Sequence, residues 1–275
     1  TRFFVRNPEW IVAGIGGVLF VTFLQIGAWR AIMQSLGVSL GWTATIRGYM
    51  LPFVSRYIPG TIWGYLSRAH WMLARHQVPA RIVNAGAVIE VLAFVTSAAL
   101  LVAVAGALGQ AAPIALVGSV AAIFVLSVIF LAGCVSPPGG WVGRLWQSLR
   151  ADGWVREITL QRMIVALPWH IGMWLGHGFI IGCLLRAVSG WDGAFLPIVL
   201  ASFPLAWLGG FVVVVLPAGL GLREYGLIYL LTNFARIAQP EASTIAVMSR
   251  AIVLLGEMGF LLIALALEHG LGSRE

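Results

Sequence analysis

The chain contains no lysine: its basic residues, 17 in number, are all arginine. That excludes a lysine-type phosphate loop and any Schiff-base chemistry, both of which need a primary amine. Charge of either sign is scarce, at 10% of residues. The two cysteines, Cys134 and Cys183, are too few for a disulfide framework or a zinc site and read as small packing residues. No HExxH, GxSxG, CxxC or dinucleotide fingerprint is present. No cofactor, no metal and no nucleic-acid partner are therefore expected.

Apolar sequence is what the chain has in abundance. It is 60% hydrophobic with a mean hydropathy of +0.95, far from a soluble globular domain. The expected fold class is all-α: a polytopic integral membrane protein forming a single transmembrane domain over 1–275. Six stretches are long enough to cross a core of ~30 Å at ~1.5 Å per residue. They run from Trp10 to Trp29, Ile82 to Leu108, Pro113 to Gly133, Ile158 to Leu185, Ala194 to Leu216 and Ala242 to Leu267. The first lacks a small-residue cleavage site and is too long for a signal-peptide core, so it reads as a span. The segments Trp42 to Trp71 and Pro217 to Ala238 are too interrupted or too short to cross. They read as two re-entrant or half-membrane helices, the second starting near Leu222. The 12 tryptophans, several at span ends, read as an interfacial belt.

Arginine placement orients this arrangement. The side reached after the first span holds Arg30, Arg47, Arg56, Arg68, Arg75, Arg81, Arg144, Arg150, Arg156, Arg162, Arg223 and Arg236. The other side holds Arg2, Arg6, Arg186 and Arg274. The positive-inside bias then puts both broken segments nearer the cytoplasmic side. The chain begins at Thr1 without an initiator methionine, and an upstream segment is expected; if it is one more span, the native N-terminus is cytoplasmic. A polar loop over 136–157, with Pro137-Pro138-Gly139-Gly140, joins two faintly similar halves, 1–135 and 158–275. Each half has a Pro/Gly break, a short amphipathic stretch, a proline turn and a long span carrying one glutamate, Glu90 or Glu257.

The breaks point to function. They lie in Arg56 to Arg68 (RYIPGTIWGYLSR) and Leu216 to Gly226 (LPAGLGLREYG). A broken helix at membrane depth persists only when buried in protein or lining a hydrated cavity, and in secondary transporters such breaks mark the substrate site. Gly60 and Gly219 precede helical stretches, whose first turns offer unpaired N–H groups and the positive end of a dipole, an anion site. Arg56, Arg68 and Arg223 add charge, although the glycines also serve as plain loop punctuation. Glu90 lies about 13 Å past Arg81 by helical rise, and Glu257 is similarly deep; intramembrane acids are functional candidates by default. Arg250, seven residues before Glu257, shares its face. The structural alternative pairs Glu90 with Arg68 or Arg56 as a helix lock. His170 and His177 lack a third ligand and read as packing residues, with a proton relay as the other role. Gly172-x-x-x-Gly176 and Gly178-x-x-x-Gly182 suit close helix packing.

The run Arg56-Tyr57-Ile58-Pro59-Gly60, with Trp63 and Arg68, then Glu90, then Pro217-Ala218-Gly219-Leu220-Gly221-Leu222-Arg223-Glu224, resembles the transmembrane domain of lysylphosphatidylglycerol synthase/flippase proteins and their stand-alone relatives. The resemblance covers nearly the whole chain. It implies movement of lipid between leaflets: aminoacylated phosphatidylglycerol in the fused proteins, polyprenyl-linked glycans or other glycolipids in stand-alone ones. Family members usually begin with one more span. The fused proteins carry a soluble aminoacyl-transferase domain, which this sequence lacks, so synthase activity is not carried over.

The resulting expectation is a non-enzymatic lipid flippase in a prokaryotic plasma membrane. It moves an anionic phospholipid, an aminoacylated phospholipid or a polyprenyl-phosphate-linked glycolipid, with no ATP site and hence a lipid or ion gradient as any energy source. The phosphate headgroup is held by Arg56, Tyr57, Pro59, Gly60, Trp63, Arg68, Pro217, Gly219, Gly221, Arg223 and Arg250, with Glu90, Glu224 and Glu257 balancing charge or binding an amine. Two other classes use the same residues. One is an intramembrane transferase on a polyprenyl-phosphate with Glu90 or His170 as base. The other is a non-catalytic docking partner of a glycosyltransferase or synthase. Expected partners are thus a phosphate-headed membrane lipid, the bilayer, and either a second copy of the chain or such an enzyme.

Overall fold

A computed structural model describes residues 7–57, 63–108, 154–212, 219 and 221–272. Among them are eight α-helices and no strand: α1 (Glu9–Ser35), α2 (Trp42–Met50), α3 (Trp63–His76), α4 (Ala80–Leu108), α5 (Leu160–Ser189), α6 (Leu196–Val212), α7 (Leu222–Asn233) and α8 (Gln239–Gly272). A 3-10 turn, Pro52–Tyr57, follows α2, because Pro52 has no N–H to continue the helical ladder. The Thr159 hydroxyl caps α5 by accepting from the Arg162 N–H, and Gly190 closes it at φ 69°, a left-handed conformation that glycine adopts without strain.

α1, α4, α5 and α8 are long and apolar enough to cross a membrane. α2 and α3, at 9 and 14 residues, and α7, at 12, are not. The all-α membrane class and the start of α7 at Leu222 agree with the sequence reading. The expected span Pro113 to Gly133 and the joining loop up to residue 153 lie outside the described residues. The expected span Ala194 to Leu216 differs. α6 has 17 residues, about 26 Å of rise, and α7 turns back along it: Gly226 packs on Ala206 and Gly210 on Arg223. α6 and α7 form a re-entrant hairpin and not a crossing.

That hairpin reverses the expected direction of everything after it. At one end of the molecule Arg162 donates from Nε to the Ser35 carbonyl at 3.1 Å, joining the start of α5 to the end of α1. At the other end Asn7 donates from Nδ2 to the Arg186 carbonyl at 3.1 Å. α8 runs parallel to α1, since Gly14 neighbours Ile252, Gly256 abuts Val18 and Gly259 neighbours Leu19. Its terminal Glu268 pairs with Arg47 of α2 and, at 2.9 Å, with Arg75 of α3. Arg236, expected on the Arg47 side, instead lies over the Phe195 ring at 5.4 Å, at the Asn7 end. The α2–α3 element therefore enters from the Arg47 end and the α6–α7 hairpin from the Asn7 end. The order span, broken hairpin, span occurs twice, as α1, α2–α3, α4 and as α5, α6–α7, α8, in opposite directions.

Each broken element has its own apolar bed. Trp29, Met33, Met50, Met72 and Ile89 pack around α2 and α3. Trp174, Ile181, Leu184, Phe203 and Leu231 pack around α6 and α7. Glycines set how closely the helices approach: a Cβ on Gly176 would meet Val21 Cγ2 at 2.5 Å, and one on Gly178 would meet Leu200 Cα at 2.8 Å. Gly172, Gly176 and Gly178 of the two predicted small-residue pairs thus face a neighbouring helix, as close membrane packing requires, whereas Gly182 faces Trp191 in the loop after its own helix.

Candidate functional site

Between the two apolar beds lies a cavity in which about 190 Å³ is reachable by the centre of a water molecule. Both broken elements line it, through Gly64, Tyr65 and Arg68 from α3 and through Gly210, Gly219 and Arg223 around the α6–α7 break. Glu90 of α4 and Arg250 and Glu257 of α8 complete its described charges, three arginines against two glutamates. Among apolar helices the interactions between these charges are strengthened, because the surrounding dielectric is low.

The α3–α4 wall is internally neutralised. Arg68 donates from Nη1 to Glu90 Oε2 at 2.6 Å, and the Tyr49 hydroxyl donates to Glu90 Oε1 at 3.0 Å. Both carboxylate oxygens are thereby engaged. The guanidinium carbon lies 4.4 Å from the ring centroids of both Trp29 and Tyr49 and 5.7 Å from that of Tyr65, an aromatic enclosure that favours a cation. Arg68 is 6% exposed and Glu90 also 6%, so each is the partner that offsets the cost of burying the other's charge.

The opposite wall is built differently. Gly219 holds φ 67° and Gly221 φ 84°, left-handed values that let the chain turn sharply into α7. At the α7 N-terminus the Gly221 N–H donates to Glu224 Oε2 at 2.7 Å. The reciprocal half of a capping box cannot form, because Gly221 has no side chain. The anion at this helix start is thus the chain's own carboxylate, and its Oε1 lies 3.9 Å from Arg250 Nε. Arg223 projects past this cap into the cavity with its guanidinium carbon 5.2 Å from the Phe203 ring centroid. His177 stacks on that ring at 4.4 Å and 11°.

The two histidines separate in role despite their seven-residue spacing. Each directs Nδ1 at the carbonyl four residues earlier, Ala166 for His170 and Met173 for His177, both at 3.0 Å. A carbonyl only accepts, so the hydrogen resides on Nδ1 and Nε2 is left as an acceptor. His177 lines the cavity, whereas His170 is 1% exposed, packs against Phe94, and has no hydrogen-bond partner at Nε2 among the described residues.

Of the residues expected from sequence, Arg68, Glu90, Gly219, Arg223, Arg250 and Glu257 meet in this one cavity. Glu224 lies beside it, in a small cleft shared with Arg223 and Arg250. Trp63 begins α3, is 46% exposed and is not among the residues lining the cavity, and Gly221 is exposed at the α7 cap. Pro59, Gly60 and Pro217, and the side chains of Arg56 and Tyr57, lie outside the described residues. Sequence reasoning missed Thr22 and Gln25 of α1, Tyr49, Phe94, Trp174, Phe203, Trp207 and Gly210. They carry no motif; only the folding of all eight described helices around one space makes them neighbours.

The fold and site together define an integral membrane protein of the broken-helix kind, with a polar cavity where two re-entrant elements meet. The chain belongs to the family of the lysylphosphatidylglycerol synthase TM region, which it matches over residues 4–258. Its role is accordingly tied to membrane lipid, and the matched region is a transmembrane one. Neither the curated proteins nor the solved structures compared with it yield a match.

Proposed function

We propose that the chain is a lipid translocase that takes a phosphate-bearing headgroup into this cavity and moves it between leaflets while the acyl or prenyl tails stay in the bilayer. The observation that carries the reading is the convergence of both broken elements, entered from opposite sides, on one arginine-bearing cavity. Arg223 and Arg250 hold the phosphate, the guanidinium fork of Arg223 supplying paired donors. Glu257 balances them, and for a headgroup with an amine it is the acceptor. The Arg68–Glu90–Tyr49 cluster, already neutral, is the fixed wall against which the headgroup rests. Because the two hairpins are inverted, small opposite movements of each would expose the same cavity first to one side and then to the other.

The Arg47 end, with Arg30, Arg47, Arg75, Arg81 and Arg162, faces the cytoplasm of a prokaryotic plasma membrane under the positive-inside bias. The α2–α3 break opens from that side and the α6–α7 break from the other.

The test is reconstitution of the purified protein into liposomes containing a fluorescent phosphatidylglycerol, with an impermeant reductant reporting its exchange between leaflets and mass spectrometry of the recovered lipid. Accelerated exchange of unaltered lipid supports a translocase. A chemically altered lipid would instead indicate a transferase, and no exchange with any anionic lipid would sink the proposal.

A further inference from the structure

The stem of Arg223 lies against two adjoining glycines, Gly210 of α6 and Gly219 ahead of α7. A Cβ on Gly210 of α6 would sit 2.6 Å from Arg223 Cγ and 3.3 Å from Cδ, and one on Gly219 would sit 3.1 Å from Cδ and 3.2 Å from Cγ. Those distances are below ordinary carbon contact, so the stem runs flush against the bare backbone of both glycines, which themselves adjoin: the same Gly219 Cβ would sit 3.4 Å from Gly210 Cα. Cγ lies near the root of the side chain. It cannot swing clear of a new methyl without changing χ1, and a change at χ1 carries the distant guanidinium with it. Phe203, under that guanidinium at 5.2 Å and itself stacked on His177, supplies the surface on which it rests.

We propose that Gly210 is a positioning residue: together with Gly219 it aims the Arg223 guanidinium into the cavity over Phe203, and its lack of a side chain is a condition of headgroup binding. The inference deepens the lipid-translocase reading and rests on it. Gly210 belongs to no motif and its neighbour Gly209 provides an internal control, because a Cβ there would meet nothing within 4 Å. The two glycines share a helix and the same intrinsic cost in helix propensity, but only one touches the arginine.

The experiment compares wild type, Gly209→Ala, Gly210→Ala, Arg223→Ala and the double variant Gly210→Ala/Arg223→Ala in detergent. It records the basal Tm and the rise in Tm on adding phosphatidylglycerol, which reports binding to the folded state, and then measures leaflet exchange in liposomes. Gly209→Ala should match wild type throughout. Gly210→Ala should lose the lipid-induced rise as fully as Arg223→Ala does, and exchange should fall roughly tenfold or more, the scale expected when charged hydrogen bonds are lost. The drop in basal Tm caused by Gly210→Ala should vanish in the Arg223→Ala background, where no stem remains to clash.

Retention of the full lipid-induced rise in Gly210→Ala would overturn the proposal, as would an equal Tm penalty with and without the arginine stem. Either would make Gly210 a helix spacer only. If Gly210→Ala does not fold, recovery of folded protein in the double variant supports the positioning role and failure to recover refutes it. A wild type showing neither lipid-induced rise nor exchange defeats the translocase reading instead, and the basal Tm comparison then decides the contact between Gly210 and the Arg223 stem on its own.

Discussion

Arg68 and Glu90, 22 positions apart, meet at 2.6 Å where α3 lies against α4, with Tyr49 on the second carboxylate oxygen. This contact ties the half-membrane segment to a full span. Removing only one partner should therefore leave a buried charge uncompensated. Arg68→Ala is expected to cost about 3–5 kcal/mol of stability, and Arg68→Met with Glu90→Leu should recover most of it. Denaturant unfolding in detergent checks both; an Arg68→Ala protein as stable as wild type would contradict the geometry.

Arg223 should behave in the opposite way. Arg223→Lys keeps the charge but loses the bidentate fork, so lipid exchange should fall while expression and thermal stability stay near wild type. Arg223→Ala should abolish exchange. The comparison also needs Glu257→Gln in the Arg223→Ala background, because both side chains line the same cavity. Restoration of full exchange in that double variant would show that Arg223 is scaffold.

The reversed direction of α8 is open to a direct topological test. Ala238 and His269 are both exposed, near opposite ends of the helix. Single cysteines at these positions, in a background lacking Cys134 and Cys183, should react with an impermeant maleimide from opposite sides of sealed vesicles. His269→Cys should react from the same side as a cysteine at Arg75. Labelling of both helix ends from one side would refute the parallel arrangement of α1 and α8.

Close packing of α5 on α6 gives a stability prediction. Gly178→Ala would place a methyl 2.8 Å from the Leu200 backbone, which cannot rotate away, and should destabilise by about 1–3 kcal/mol. Gly16→Ala, with open space around its Cβ, should leave stability near wild type or slightly higher. Thermal melts of the two variants in one detergent separate the cases; equal melts would refute the close approach.

Much of the fold was legible in the chain because membrane insertion is read from local composition. Uninterrupted apolar runs specified α1, α4, α5 and α8, since a helix alone can satisfy its backbone in hydrocarbon. The glycines ahead of α7 and its start at Leu222 marked the second break through chemistry confined to a few residues. Even the pairing of Glu90 with Arg68 was among the partners the sequence offered, because a deep carboxylate needs a cation and few are near.

The direction of the last helices was not legible. Residues 194–216 are apolar for long enough to cross, and hydropathy cannot distinguish a crossing from a helix along which the chain then folds back. Arg236, counted with one end of the molecule by its place in the chain, lies at the other because α7 folds back along α6. The site was divided in the same manner. Its charged residues stood out as costly exceptions to an apolar rule, and the sequence by itself determined that such charges had to be enclosed. Which of them would neutralise each other, and that one arginine stem would pack on two glycines from separate segments, was decided only by tertiary packing, since those relations depend on distances across helices that no local pattern encodes.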